Sequence, residues 1–132
     1  MIITVTPAPG LDRTYTSQDY LEGRVNRAQT STVEASGKGV NVSRALAAAG
    51  SATVAVLPLG GSEGRHLAEL LGADAVPFLA VQTEVPTRTN TTLAVSGRPT
   101  TKMNAPSPAL PEQVWADLRR MVELLKFIGT PR

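Results

Sequence analysis

The sequence predicts an α/β fold built on a parallel sheet flanked by helices, and three observations predict it. Residues 1–6, M-I-I-T-V-T, form a mostly β-branched run stopped by Pro7, Pro9 and Gly10, the pattern of a buried strand. Residues 39–49 carry Val42 and Leu46 at i and i+4 among alanines, with Gly50 placed as a C′ glycine, which reads as a helix. Residues 52–57 then supply a second apolar strand. Strand, helix and strand make a βαβ-like unit, and its two strands are expected to run parallel.

The remaining elements follow in order. Between the first strand and its helix lies a polar, Thr/Ser-rich stretch, residues 14–36, where Val25, Ala28 and Val33 are spaced irregularly, so short exposed strands are expected rather than a core helix. Gly60, Gly61 and Ser62 open a second helix with Ser62 as the expected N-cap, Leu67, Leu70 and Leu71 on one face and Gly72 at its end. Residues 76–81, 89–96 and 100–103 read as further strands, the last two joined by the turn S-G-R-P. After a proline-rich segment, residues 105–111, comes the strongest helical pattern. Val114, Leu118, Met121 and Leu125 line one face opposite Asp117, Arg120 and Glu123. An α/β layer that ends on such a helix leaves a sheet edge and face unfinished, so a truncated product or a completing partner chain is expected.

The 132 residues suit one ordinary domain, and 42% apolar with 18% charged residues is a globular composition. The net charge of +2 comes without a run of like charge, and aromatics are only 4%, so neither a phosphate-tracking stripe nor a base-stacking platform is expected and nucleic acid is not a predicted partner. With no cysteine there is no disulfide framework, thiolate metal site or cysteine nucleophile. The N-terminus lacks the features of a signal peptide and no window is apolar enough for a membrane span, so no membrane association is expected and the cytoplasm is the expected location.

The segment with most chemistry is A-S-G-K-G-V-N, residues 35–41, at the turn from a polar strand into a helix. Gly37 and Gly39 let the backbone approach a ligand closely, the helix start aims its positive dipole end at an anion, and Lys38 adds a full charge. Asn41, one turn on, can both donate to and accept from a hydroxylated ligand. The string is not a G-x-x-x-x-G-K-[ST] phosphate loop, since Thr32 stands where its first glycine belongs. Its bland reading is a glycine turn with a solvated lysine. Two other places sharpen it. The Pro/Gly loop after the first strand delivers Asp12 to the strand ends where open α/β sheets bind ligands. Thr87-Arg88-Thr89-Asn90 offers an arginine fork for a phosphate and an amide for a hydroxyl. Together these suggest a hydroxylated anion.

T-P-A-x-x-x-D at residues 6–12, S-G-K-G-V-N-V-S-R-A-L at 36–46, P-L-G-G-S-E-G at 58–64, T-R-T-N at 87–90 and T-K-M-N-A-P at 101–106 resemble, in order, the 1-phosphofructokinase and tagatose-6-phosphate kinase branch of the ribokinase-like (PfkB-type) carbohydrate kinases. The resemblance implies a Rossmann-like (ribokinase-like) fold, with core residues 1–13, 37–85 and 104–132 and a small β lid at 14–36 and 86–103. It implies sugar-phosphate binding by Asp12, Gly37, Lys38, Gly39 and Asn41, with Arg88 on the phosphate and Asn90 on a hydroxyl. It further implies ATP and Mg²⁺ for the full-length family, and transfer to the C6 hydroxyl of fructose 1-phosphate or a related ketohexose phosphate. The family's Gly-Ala-Gly-Asp catalytic segment and its Asn-x-x-Glu segment match nothing here, so no catalytic or cofactor-binding residue is expected in this stretch, and the chain alone is expected to be inactive. Family members often have Asn at Thr6, Gly at Ser36 and Glu at Ala105, so lid and loop contacts are expected to differ.

Other residues read as structural. Arg44 is expected to be solvated on its helix, His66 to be structural or exposed without a second metal ligand, and Trp115 to belong to the core with the Leu/Met stripe. Two further functional classes are a non-catalytic module that dimerises through its lid strands and a nucleotide-phosphate binder using Gly37–Gly39 as cradle, the latter disfavoured by the missing phosphate loop.

Overall fold

The computed structural model describes residues 1–129; the terminal T-P-R, part of the ending behind the expectation of truncation, lies outside the described residues. The elements run β1 (Ile2–Val5), β2 (Gly10–Ser17), β3 (Thr30–Ser36), α1 (Lys38–Ala48), β4 (Thr53–Leu59), α2 (Gly61–Ala73), β5 (Phe78–Gln82), β6 (Arg88–Val95), β7 (Thr101–Met103) and α3 (Glu112–Gly129). β1, β4 and β5 form the predicted all-parallel sheet in the order β1-β4-β5. The other four strands form a mixed sheet in the order β3-β2-β6-β7, parallel only where β2 meets β6.

The period-2 pleat of β4 organises the core. Ala55, Leu57 and Leu59 join Val40 of α1, Leu67 and Leu71 of α2, and Leu11 and Ala35 of the mixed sheet in one buried cluster. Val56 turns the other way, towards Val114, Leu118 and Leu125 of α3. Helices thus cover both faces of the parallel sheet, as βαβ connections require. Pro58 is tolerated in the central strand because β1 has already ended. The β1–β4 pairing stops at Val5 and Val56, and on its other side Pro58 still pairs with Val81 of β5.

Several local expectations change. In α1 the inward stripe is Val40, Ser43 and Ala47, whereas Val42 is 50% exposed. The i, i+4 spacing of Val42 and Leu46 identifies a helix without saying which face turns in. Ser43 can be buried because its hydroxyl bridges Thr4 of β1 at 2.7 Å and Thr53 of β4 at 2.8 Å, satisfying all three groups. Arg44 is not simply solvated. It donates to Asp74 at 3.0 Å and to the Ala35 carbonyl at 3.0 Å, tying α1 to the end of α2 and to β3. Trp115 is 38% exposed rather than core, since it sits next to the Val114–Leu118–Leu125 stripe and not in it. His66 is half-buried, and among the described residues no His, Cys, Asp or Glu group could hold a metal around it.

Gly60, not Ser62, is the N-cap of α2. Its N–H is taken by the Thr87 hydroxyl at 3.1 Å, while Ser62 Oγ donates to Glu63. The Glu63 carboxyl is held below its ordinary range, first by a backbone N–H and then by that serine.

Both helices in front of strands end alike. Ser51 N–H bonds Leu46 O and Gly50 N–H bonds Ala47 O after α1; Val76 N–H bonds Leu71 O and Ala75 N–H bonds Gly72 O after α2. The residue at the left-handed position is Gly50 (φ 74°) in the first case and Ala75 (φ 54°) in the second. An L-residue there costs about 1–2 kcal/mol, part of which glycine recovers. Ala75→Gly is expected to raise the thermal midpoint by about 2–5 °C, read by calorimetry or circular dichroism. A fall in midpoint would show that Ala75 is not strained.

Candidate active-site cleft

The cleft forms where the chain leaves the parallel sheet. β1 and β5 run parallel, so the segments that follow them, 6–9 and 83–87, emerge on the same side and lead into β2 and β6. Parallel pairing of those two strands puts Gly10 opposite Arg88 and Asp12 opposite Asn90, residues far apart in the chain. Alternate residues of the mixed sheet, Asp12 of β2, Arg88, Asn90 and Thr92 of β6, and Lys102 of β7, share the face that looks towards the start of α1. The space between is an open cleft of about 630 Å³, a size suited to a small ligand.

The start of α1 is built on the end of β1. Gly37 caps the helix at φ 136°, a conformation that essentially only glycine adopts, and no side chain caps the first turn. A methyl group on Gly37 would lie 2.6 Å from Thr6 Cγ2, and one on Gly39 would lie 2.5 Å from Thr6 Oγ1 and 3.0 Å from the Val5 carbonyl. The two glycines are therefore required by the strand beneath them. They bring the N–H groups of the first turn and the positive end of the helix dipole to the cleft wall.

All the residues singled out from the sequence, Asp12, Gly37, Lys38, Gly39, Asn41, Arg88 and Asn90, line this one cleft. Asp12 comes from strand β2, which already starts at Gly10, and not from the loop before it. Asn90 Nδ2 donates to Asp12 Oδ1 at 3.3 Å and Asn90 Oδ1 accepts the Ala105 N–H at 3.0 Å. Arg88 donates to the carbonyls of Ala105 at 3.2 Å and Ala8 at 3.4 Å, so its fork also holds two loops at the cleft floor. Lys38 and Asn41 are exposed.

Sequence reasoning left out Thr6, Ser36, Thr92, Lys102 and Asn104, which also line the cleft. The signal for Thr92 was alternation, since it continues the Arg88, Asn90 series on β6, whereas Lys102 is placed by its pairing with Thr92 across the β6–β7 ladder. Three cations, Lys38, Arg88 and Lys102, thus face one carboxylate, Asp12. Among the described residues the ion pairs involve Arg44, Arg119, Arg120 and Lys126 instead. The cleft is electropositive and rich in hydroxyl and amide groups, a chemistry that fits an anion carrying hydroxyls.

The chain resembles known proteins in both sequence and fold. The sequence matches the pfkB family carbohydrate kinase family over residues 10–128. It is 42% identical over 90 residues to ATP-dependent 6-phosphofructokinase isozyme 2 of Escherichia coli, which covers 67% of this chain and 29% of that protein. It is 36% identical over 108 residues to 1-phosphofructokinase of Haloferax volcanii, covering 80% of this chain and 35% of that one. The fold superposes on the crystal structure of phosphofructokinase-2 from Escherichia coli in complex with substrates and products, with TM-score 0.88, 31% identity and coverage of 93% of this chain and 40% of that one. The chain therefore spans about 29–35% of the length of these curated relatives. No helix among the described residues is long and apolar enough to cross a membrane. The match over most of the chain and the shared fold place it plainly: the chain belongs to the pfkB family of carbohydrate kinases.

Proposed function

We propose that this chain forms the sugar-phosphate-binding part of a cytoplasmic, ATP-dependent kinase that phosphorylates the C6 hydroxyl of fructose 1-phosphate or a related ketohexose phosphate. The observation that carries this reading is the convergence of Lys38, Arg88 and Lys102 with Asp12, Asn41 and Asn90 in one cleft. Lys38, the α1 N-terminus and Arg88 hold the phosphate, while Asp12, Asn90 and Asn41 fix hydroxyls. The mixed sheet acts as the lid over the sugar, excluding water that would otherwise intercept a phosphoryl group. The family's kinases use ATP and typically Mg²⁺. Among the described residues no cluster of three or more His, Cys, Asp or Glu could hold the metal, and the cleft's single carboxylate accepts from Asn90.

A second reading, a module that dimerises through the mixed sheet, is favoured by one observation. Among the described residues β3 and β7 are the sheet's two edge strands, and edge strands pair readily with another chain. A tetrameric inhibited form is known for phosphofructokinase-2 from Escherichia coli, to which this chain is 33% identical. Light scattering on the purified chain is expected to show a dimer if the strands pair; a monomer at all concentrations would dismiss this reading.

Calorimetry is expected to show fructose 1-phosphate preferred over free fructose. Lys38→Ala and Arg88→Ala should each weaken it roughly tenfold or more, the loss of one charge-assisted hydrogen bond. Equal affinity for free and phosphorylated sugar would contradict the roles of both residues. With ATP and Mg²⁺ supplied, the chain alone is expected to give no phosphorylation of fructose 1-phosphate above background; robust turnover would contradict the assignment of the reacting groups to other parts of the family's fold.

A further inference from the structure

Two side-chain polar atoms among the described residues are sealed from solvent without a hydrogen-bond partner, Thr6 Oγ1 and Arg88 Nε, and both residues line the same cleft. Arg88 has other donors in use, but Thr6 has only its hydroxyl. Thr6 is 95% buried at the end of β1, with its N–H bonded to the Val56 carbonyl at 2.9 Å and its side chain wedged under the α1 turn, the hydroxyl beneath Gly39 and the methyl beneath Gly37. An unpaired buried hydroxyl is unfavourable, and a valine would fill the same space without the penalty. A rule broken at the floor of a binding cleft points to a ligand.

We propose that Thr6 is a specificity-determining residue of the cleft, its hydroxyl gaining a partner when a carbohydrate hydroxyl, direct or through one water, sits beside an anionic group held at the α1 N-terminus. The side chain can supply that bond by a turn of about 120° in χ1, which carries the hydroxyl out from beneath Gly39 into the well now held by the methyl or by the Cβ hydrogen. Recognition is then divided. The dipole of α1 and Lys38 hold the charge, and Thr6 reads the sugar hydroxyl beside it. This inference rests on the sugar-phosphate reading of the cleft, and it adds a residue to which the sequence motifs assign no role.

The test compares the chain with Thr6→Val and Thr6→Ser, using thermal unfolding and calorimetric titration with fructose 1-phosphate and with inorganic phosphate. Thr6→Val is expected to raise the unfolding midpoint by roughly 2–5 °C by removing the unpaired hydroxyl. It should also weaken fructose 1-phosphate about five- to twentyfold while leaving inorganic phosphate within about twofold. Thr6→Ser keeps the hydroxyl and should retain sugar-phosphate affinity within about threefold. Unchanged sugar-phosphate affinity in Thr6→Val, an equal loss for both anions, or a lowered midpoint would each overturn the proposal. If the unsubstituted chain binds no sugar phosphate, the reading of the cleft falls and this inference with it; if it binds and Thr6→Val binds equally well, only the role of Thr6 falls.

Discussion

The contact on which the site depends is the seating of the first turn of α1 on the last residues of β1. Backbone meets backbone there, with the Val5 carbonyl and the Thr6 side chain directly beneath Gly37 and Gly39, so no side chain larger than hydrogen fits at either glycine. That closeness aims the helix N-terminus across the strand ends, where its unpaired N–H groups and the positive end of its dipole face the cleft. The buried hydroxyl chain Thr4–Ser43–Thr53 fixes the same helix one turn further along, so the position of Lys38 is set by β1 and β4 together. The packing that places α1 also leaves the Thr6 hydroxyl unpaired.

The opposite wall is a consequence of strand pairing. A parallel register between β2 and β6 brings Asp12 beside Asn90, and the pleat keeps Arg88, Asn90 and Thr92 on one face. Arg88 and Asn90 also hold loops in place. Arg88 ties the loops at Ala8 and Ala105, Asn90 takes the Ala105 N–H, and Thr87 just before them bonds Gly60 at the start of α2. The cleft is thus pre-formed on strands whose side chains lock the connecting loops, the arrangement that keeps a binding site rigid.

Much of this was legible in the sequence, because period and punctuation report directly on backbone geometry. The β-branched run before Pro7, the Val114–Leu118–Leu125 stripe and Gly50 behind the first helix each have one structural solution. Where a pattern admits two solutions the reading failed. Val42 and Leu46 mark a helix equally well whichever face turns in, and a buried Ser43 was invisible until its two hydroxyl partners were placed. Ser62 looked like a cap because caps are local, yet Thr87, distant in sequence, serves the Gly60 N–H. Asp12, Lys38 and Arg88 were found from residue chemistry, while Lys102 needed the β6–β7 register and Thr6 needed the packing beneath the glycines.

In the proposed function one anionic carbohydrate is held between the α1 N-terminus and the face of the mixed sheet. Amide chemical-shift mapping of the labelled chain during titration with fructose 6-phosphate, a sugar phosphate also found bound to a related phosphofructokinase-2, tests it most directly. Saturable shifts are expected to cluster at residues 37–41, 12, 88–90 and 102, on both walls at once. Shifts confined to one wall, or spread over α3 and the far ends of the strands, would contradict that reading.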